Sequence, residues 1–135
     1  MIRGSCHCGT VRYESSGAVL RFVNCHCDDC RKISGCAFAS VLAVESEGFR
    51  IVSGEDNLTP YESSPGKQRC FCRTCGTHVF ARIESRPQLV LIRAGTLDDD
   101  PHLQPQAHIW VKAKAPWHQI LDGLPQYPEG FPPKS

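Results

Sequence analysis

The amino-acid sequence predicts a mainly β protein with short antiparallel strands, and two observations support this. Ten prolines and eleven glycines among 135 residues favour frequent turns over long helices. Several short segments alternate apolar and polar side chains, which is the pattern of strands with one buried face. A chain of this length is most simply one domain that can bury its own core. We place that domain at residues 1–122 and a proline-rich tail at residues 123–135.

The predicted elements follow from apolar periodicity and from turn residues. The segments that predict strands are residues 10–14, 20–23, 37–44, 49–52, 58–62, 77–82, 88–93 and 108–111. Residues 37–44 are almost wholly apolar and predict a central strand, whereas Pro60 places residues 58–62 at a sheet edge. Residues 28–34 predict one helical turn that Gly35 ends. The tail holds four prolines, and we expect it to be extended and only loosely held.

A cluster of thiols at residues 25–30 is the densest chemical signal in the chain. Cys25, Cys27 and Cys30 fall within six residues. In an extended strand residues two apart share a face, so Cys25 and Cys27 can point the same way while His26 points oppositely. The spacing from Cys27 to Cys30 suits a tight turn around zinc, which normally takes four ligands. The fourth position therefore decides whether this site is a scaffold or can do chemistry.

Two further cysteine pairs repeat metal-ligand spacing. Cys6 and Cys8 flank His7, and the strand argument again places both thiols on one face. Cys72 and Cys75 form a zinc knuckle whose turn Gly76 permits. The cysteines with ligand-like spacing are Cys6, Cys8, Cys25, Cys27, Cys30, Cys72 and Cys75.

Seven thiols divide into four plus three, which predicts two zinc ions. One arrangement closes a structural site with Cys6, Cys8, Cys72 and Cys75. Cys25, Cys27 and Cys30 then hold a second ion with one position open to substrate. Spacing alone also allows Cys72 and Cys75 to pair with Cys25 and Cys27.

Several other side chains can be interpreted either as structural or solvated residues or as functional ones. Cys36 and Cys70 have no knuckle partner and are interpreted as buried small side chains. Cys70 shares a strand face with Cys72, however, and could complete the second site. His108 could line a pocket, although a hydrogen-bonded structural histidine is commoner. Arg31 and Lys32 follow the open site and could bind a substrate carboxylate, although such residues are more often solvated.

Composition argues against several classes of partner and location. The formal net charge is +1, with no basic run, so we expect no nucleic-acid partner. No apolar stretch approaches the roughly 20 residues that span a bilayer, and no signal peptide precedes Cys6. Clustered thiols and an odd cysteine count favour metal over disulfides, which predicts a reducing, cytoplasmic location.

The chain resembles the glutathione-dependent formaldehyde-activating family, which includes the centromere protein V type of domain. The resemblance runs from about Gly4 to Trp117. It rests on five blocks in order: residues 4–9, residues 25–35, residues 71–76, residues 94–98, and residues 108–111 with 114–117. Five ordered blocks of this kind are far more specific than any one of them.

The resemblance implies a β-tent fold around zinc, related to methionine sulfoxide reductase B. It also implies that Cys6, Cys8, Cys72 and Cys75 are structural zinc ligands, and that Cys25, Cys27 and Cys30 bind the active-site zinc. The implied activity is that of S-(hydroxymethyl)glutathione synthase, a carbon–sulfur lyase with glutathione or another small thiol and a small aldehyde such as formaldehyde as substrates.

Two other functions compete with this expectation. In the first, zinc only scaffolds a β surface that binds another protein, and this alternative gains if Cys70 closes the second site. In the second, the related fold reduces methionine sulfoxide. No Arg-His-Cys nucleophile segment lies near the C-terminus, which argues against the reductase.

Overall fold

The computed structural model describes residues 1–132. The chain forms two compact units: unit 1 comprises Met1–Arg21 and Leu42–Leu103, and unit 2 comprises Phe22–Val41 and the chain from Gln104 onward. Ten strands and one α-helix lie in the described range. The prediction of a mainly β fold with antiparallel sheets is confirmed, whereas the domain boundary at residue 122 stays a prediction. No helix among residues 1–132 has the length and apolarity needed to cross a membrane.

Unit 1 contains a small sheet and the four outer strands of a larger one. Its complete strands are β1 (Ile2–Ser5), β2 (Arg12–Ser15), β5 (Phe49–Ser53), β6 (Leu58–Ser64), β7 (Lys67–Cys72), β8 (His78–Ile83) and β9 (Leu89–Arg93). The small sheet has the antiparallel order β1-β2-β5, and the others follow the order β9-β8-β7-β6. Because β6 is the last strand, Pro60 lies on a sheet edge, as its missing N–H predicts.

Unit 2 contains the helix and a short parallel strand pair. The strands here are β3 (Val19–Cys25), β4 (Ala39–Glu45) and β10 (Ala107–Ile109), in the order β10-β3-β4, and the unit boundaries fall within β3 and β4. β10 runs parallel to β3, with Ile109 opposite Cys25. The helix α1 (Asp28–Ser34) ends at Gly35, which adopts a left-handed φ of 66°. The predicted helical turn and its glycine cap are confirmed.

The structure corrects three local expectations. β1 was not predicted, because its four residues carry no alternating pattern. Cys6, His7 and Cys8 form a turn instead of a strand, closed by a 3.0 Å bond from the Gly9 N–H to the Cys6 carbonyl. The last strand ends at Ile109, because Trp110 has a φ of 58° that leaves the extended region.

The C-terminal tail is held more firmly than expected. The His108 N–H donates to the Pro125 carbonyl and the Tyr127 N–H donates to the His108 carbonyl, both at 2.9 Å. The Trp110 N–H donates to the Glu129 carbonyl at 2.8 Å. The expectation of a loose tail is therefore wrong for residues 125–129, because this segment pairs the outer edge of β10. Residues 133–135 of the predicted tail lie outside the described residues.

A buried phenol links β2 to the loop after β9 in unit 1. The Tyr13 side chain is 1% exposed, and its hydroxyl lies 2.6 Å from the Thr96 hydroxyl. A Cβ at position 4 would lie 2.1 Å from the Tyr13 oxygen, so only Gly4 leaves room for the ring. Burial raises the pKa of Tyr13 to about 12, because the phenolate would lose its hydration.

We expect Tyr13→Phe to lower the free energy of unfolding by about 1 kcal/mol at neutral pH, the usual value of one hydrogen bond. A pKa raised by folding contributes stability that is present below the unfolded value and is lost as pH rises through the folded value. The wild-type advantage should therefore vanish between about pH 10 and 12, as measured by urea unfolding. An advantage that stays constant over this range would contradict the buried-phenol interpretation.

Candidate metal centre

Four sulfur atoms converge in unit 1, and we call this group the first cluster. Its members are Cys6, Cys8, Cys72 and Cys75, whose Sγ atoms all lie within 4.8 Å of one another. Cys8 Sγ lies 3.6 Å from Cys6 Sγ and 3.8 Å from Cys72 Sγ. Tetrahedral zinc with Zn–S bonds of about 2.3 Å requires sulfur atoms about 3.8 Å apart. The spacing and the donor set therefore fit a four-thiolate metal site.

Two tight turns place these four thiols. The first turn follows β1, and the second follows β7, where the Gly76 N–H donates to the Cys72 carbonyl at 2.8 Å. Gly9 and Gly76 adopt left-handed φ values of 80° and 79°, which most side chains disfavour. The His7 N–H donates to the Thr77 hydroxyl at 3.1 Å. This bond ties one turn to the other, while the His7 side chain is exposed.

Polar groups surround the sulfur atoms of the first cluster. The Val11 N–H donates to Cys6 Sγ at 3.3 Å, and Asn57 Nδ2 donates to Cys72 Sγ at 3.2 Å. The Thr77 hydroxyl lies 3.2 Å from Cys75 Sγ. Hydrogen bonds from the Thr77 side chain and backbone lower the pKa of Cys75 to about 5. Donors of this kind stabilise the thiolate, which is the form that binds metal.

Three sulfur atoms converge in unit 2, and we call this group the second cluster. Cys25 ends β3, Cys27 caps the N-terminus of α1, and Cys30 lies in its first turn. Their Sγ atoms also lie within 4.8 Å of one another. The Cys30 N–H donates to Cys27 Sγ at 3.3 Å, so the helix start fixes the spacing of two thiols. Cys25 and Cys30 are buried, whereas Cys27 is partly exposed.

The electrostatics of the second cluster favour a cation. Hydrogen bonding to Cys27 and Cys30, followed by burial, raises the pKa of Cys25. A second thiolate is costly beside the first in a buried site, and a divalent cation removes that cost by its own charge. Three soft sulfur ligands suit zinc among the common metals. The residues therefore fit a metal held by three protein thiolates.

The structure also places the cysteines with ambiguous roles. Among residues 1–132, Cys36 and Cys70 belong to neither cluster. Cys36 is exposed, contrary to the buried interpretation, and its Sγ lies 3.4 Å from the Ser34 carbonyl. Cys70 is half-buried, and burial raises the pKa of its thiol. The alternative grouping of Cys72 and Cys75 with Cys25 and Cys27 does not occur. The assignment of both clusters as zinc ligands stays a prediction.

Two buried histidines form a chain that begins at His26, which lies between Cys25 and Cys27 in the sequence. His26 is 0% exposed, and its Nε2 lies 2.8 Å from Nδ1 of His108. His108 Nε2 lies 2.8 Å from Asp122 Oδ2. The hydrogen bond from His108 lowers the pKa of Asp122. Burial, reinforced by nearby basic side chains, lowers the pKa of His26 to about 4, so His26 is neutral at neutral pH.

The carboxylate orders the protons along this chain. The ionised Asp122 can only accept, so His108 Nε2 carries a proton, and in the neutral ring His108 Nδ1 is then an acceptor. His26 Nε2 then donates, which leaves His26 Nδ1 as a bare acceptor that is buried and makes no hydrogen bond in the described structure. Sequence analysis missed this chain, although it considered a hydrogen-bonded His108. The sequence signals were the position of His26 between two cysteines and that of His108 near Trp110. Neither reveals the contact, because it depends on the register of β10 with β3.

The two basic residues after Cys30 differ in their surroundings, because Lys32 is exposed and Arg31 is partly buried. Arg31 Nη2 lies 3.1 Å from Asp28 Oδ1, and its side chain is 25% exposed. This ion pair joins adjacent turns of α1 and partly neutralises the guanidinium. Arg31 is therefore less available for a substrate carboxylate than its position suggested.

Comparison with known proteins places both clusters in a known family. The family model for the glutathione-dependent formaldehyde-activating enzyme matches residues 1–113, a range that contains both clusters and both histidines of the buried chain. The chain belongs to the glutathione-dependent formaldehyde-activating family. The resemblance predicted from the five sequence blocks is thereby confirmed.

Relatives within the formaldehyde-activating family differ in length. A Halomonas elongata protein that carries the family name is 29% identical over 128 residues, covering 89% of this chain and 81% of its own. A Sordaria macrospora relative is 30% identical, but the alignment covers 60% of this chain and 37% of the fungal one. A crystal structure of a Rhodobacter sphaeroides protein matches with a TM-score of 0.61 at 28% identity, covering 73% of this chain and 91% of that one.

We expect the two clusters to contribute unequally to stability. Cys72→Ser should lose one bound metal ion and much of the free energy of unfolding, because closed zinc sites contribute about 10–16 kcal/mol in small domains. Cys27→Ser should lose the other ion with a smaller fall in Tm. Metal content by mass spectrometry and thermal unfolding test both expectations.

Cys70→Ser is the matched control for the Cys72 variant, since it places serine in the same strand but outside both clusters. It should keep both ions. Equal losses of stability in Cys27→Ser and Cys72→Ser would show that the clusters do not divide structural and functional roles in this way.

Proposed function

We propose that this chain is a zinc-dependent carbon–sulfur lyase that activates glutathione or a similar small thiol for addition to an aldehyde such as formaldehyde. The observation that carries the proposal is the second cluster, where three thiols converge and one of them, Cys27, is partly exposed. Among residues 1–132, no fourth cysteine, histidine or carboxylate joins that group. A tetrahedral metal would therefore keep one position for a substrate atom. The family match supports the same activity.

In this proposal the two clusters have different tasks. Cys6, Cys8, Cys72 and Cys75 hold a structural zinc ion, and Cys25, Cys27 and Cys30 hold the ion at the active site. Zinc bound there would supply an open position and a charge that favours the thiolate form of an incoming thiol. Three thiolates already donate heavily, so the site suits a fourth sulfur better than it suits polarising a carbonyl.

The protein's own residues contribute geometry. The Cys30 N–H fixes the Cys27 sulfur, and the contact with His108 anchors His26, the residue between Cys25 and Cys27. The reaction joins the thiol sulfur to the aldehyde carbon, and the thiol proton ends on the former carbonyl oxygen. The reverse reaction breaks the same carbon–sulfur bond. Positioning two small reactants is the main source of acceleration.

The state of the cysteines also supports a location. None of the nine cysteines, which all lie within residues 1–132, forms a disulfide in the structure, and two thiolate metal sites persist best where thiols stay reduced. We place the protein in the cytoplasm on this basis.

We expect the metal-loaded protein to accelerate formation of the thiol–aldehyde adduct above the spontaneous rate. NMR of 13C-formaldehyde with glutathione reports the exchange between free aldehyde and adduct. Cys27→Ser should abolish the acceleration, whereas Cys36→Ser, which replaces an exposed thiol outside both clusters, should retain it. Absence of acceleration across a panel of small thiols would contradict the proposal.

Cobalt substitution tests the open position directly. We expect the visible spectrum of the cobalt-loaded protein to change when glutathione is added, because a fourth sulfur alters the thiolate-to-metal charge-transfer bands. S-methylglutathione, which lacks the thiol, should leave these bands unchanged. A spectrum that no thiol alters would indicate a closed site and would favour a zinc-scaffolded protein-binding module.

A further inference from the structure

A cavity of about 550 Å³ lies in the segment of unit 2 that follows β10. Its lining includes Lys114, Trp117, His118, Gln119 and Gln126. This volume is in the range of about 300–1,000 Å³ that is typical of small-molecule sites. The match to the family model ends at residue 113, so the cavity lies just beyond the range that defines the family.

His118 in the cavity wall makes two ring contacts, one of them with His26. The centroid of the His118 ring lies 6.0 Å from the ring centroid of His26 and 5.5 Å from that of Phe38. His26 is the residue between two of the clustered thiols. A molecule that contacts His118 is therefore one side chain away from His26, whose neighbours in the chain are Cys25 and Cys27.

Lys114 is a fixed cation in this wall, and its hydrogen bonds within residues 1–132 are to neutral carbonyls. Its Nζ donates to the carbonyls of Ala115 and His118, and the side chain is half-buried. Among residues 1–132, no carboxylate lies within 4.0 Å of this ammonium. An ammonium has three N–H donors, and two are used by neutral carbonyls. One donor and the positive charge therefore remain for a ligand in the cavity that Lys114 lines.

The neighbouring Lys112 shows the contrast. Its Nζ lies 3.0 Å from Glu129 Oε2, and it does not line the cavity. The two lysines are two positions apart, yet only Lys112 has its charge matched by the protein. Gln119 and Gln126 add neutral amides that can donate to a carboxylate and accept from an amide or ammonium.

We propose that this cavity binds the carboxylate of the thiol substrate, and that Lys114 is the specificity-determining residue that selects thiols carrying a carboxylate over neutral ones. The inference rests on the proposed thiol–aldehyde function. The carboxylate forms a charge-assisted hydrogen bond with Lys114. The thiol end of the same molecule extends toward the second cluster. The aldehyde needs no recognition by this cavity.

The first experiment compares N-acetylcysteine with N-acetylcysteine amide as thiols in the formaldehyde reaction. These compounds differ only in the carboxylate, and comparing their kcat/KM ratio between variants cancels the difference in thiol acidity. Lys114→Gln should lower the acid-to-amide ratio about tenfold, the usual effect of losing one hydrogen bond to a charged group, through the KM of the acid alone. Lys112→Gln should leave the ratio unchanged, and Lys114→Arg should restore most of it.

The second experiment measures binding of S-methylglutathione by calorimetry, which requires no reaction at the metal. Its affinity should fall about tenfold in Lys114→Gln and stay constant in Lys112→Gln. If no thiol reacts but this difference in binding is found, the proposed function fails and the carboxylate subsite stands. If thiols react but Lys114→Gln changes neither the ratio nor the binding, the subsite is overturned and the proposed function stands. An equal loss with acid and amide would overturn the subsite too, since Lys114 would then only support the carbonyls it contacts.

Discussion

Mutual crowding of thiol groups is the constraint on which this protein depends. Cys8 and Cys72 are separated by 64 positions, yet their sulfur atoms lie 3.8 Å apart. Closing so long a loop costs chain entropy, and bringing sulfur atoms together without a cation disfavours their ionised form. A metal ion bound by the four thiolates would offset both terms at once, since it would also fix the distant turns. The turn that joins the antiparallel strands β7 and β8 would then be held in place.

The second cluster obeys the same chemistry with one protein ligand fewer. Cys25, Cys27 and Cys30 are local in sequence, so the closing loop is short and the cluster contributes less to holding distant segments together. The strand end and the helix start supply its geometry. The two clusters thus separate a long-range constraint from a local one, and under the proposed function the local one would keep a position for a substrate atom.

The sequence predicted the features that depend on residues close together in the chain. Cysteine spacing identified seven thiols, and α1 with its Gly35 cap followed from helix-end signals. Topology determined what sequence missed. The His26–His108 contact spans 82 positions and exists because β10 lies parallel to β3, a pairing that no periodicity reveals. The turn at Cys6 was mistaken for a strand, because alternation over three residues cannot distinguish the two. The prolines hid the pairing of residues 125–129, since proline lacks a donor but its carbonyl still accepts.

The pairing of that proline-rich segment has a practical consequence for anyone who shortens the chain. A truncation chosen by composition would fall near Gly123. It would remove the carbonyl of Pro125 that receives the His108 N–H, expose the outer edge of β10 and delete Gln126 from the cavity wall. A shortened protein of this kind would keep every cysteine of both clusters and still lack part of the cavity wall. Metal content alone would therefore not show whether the shortened protein is intact.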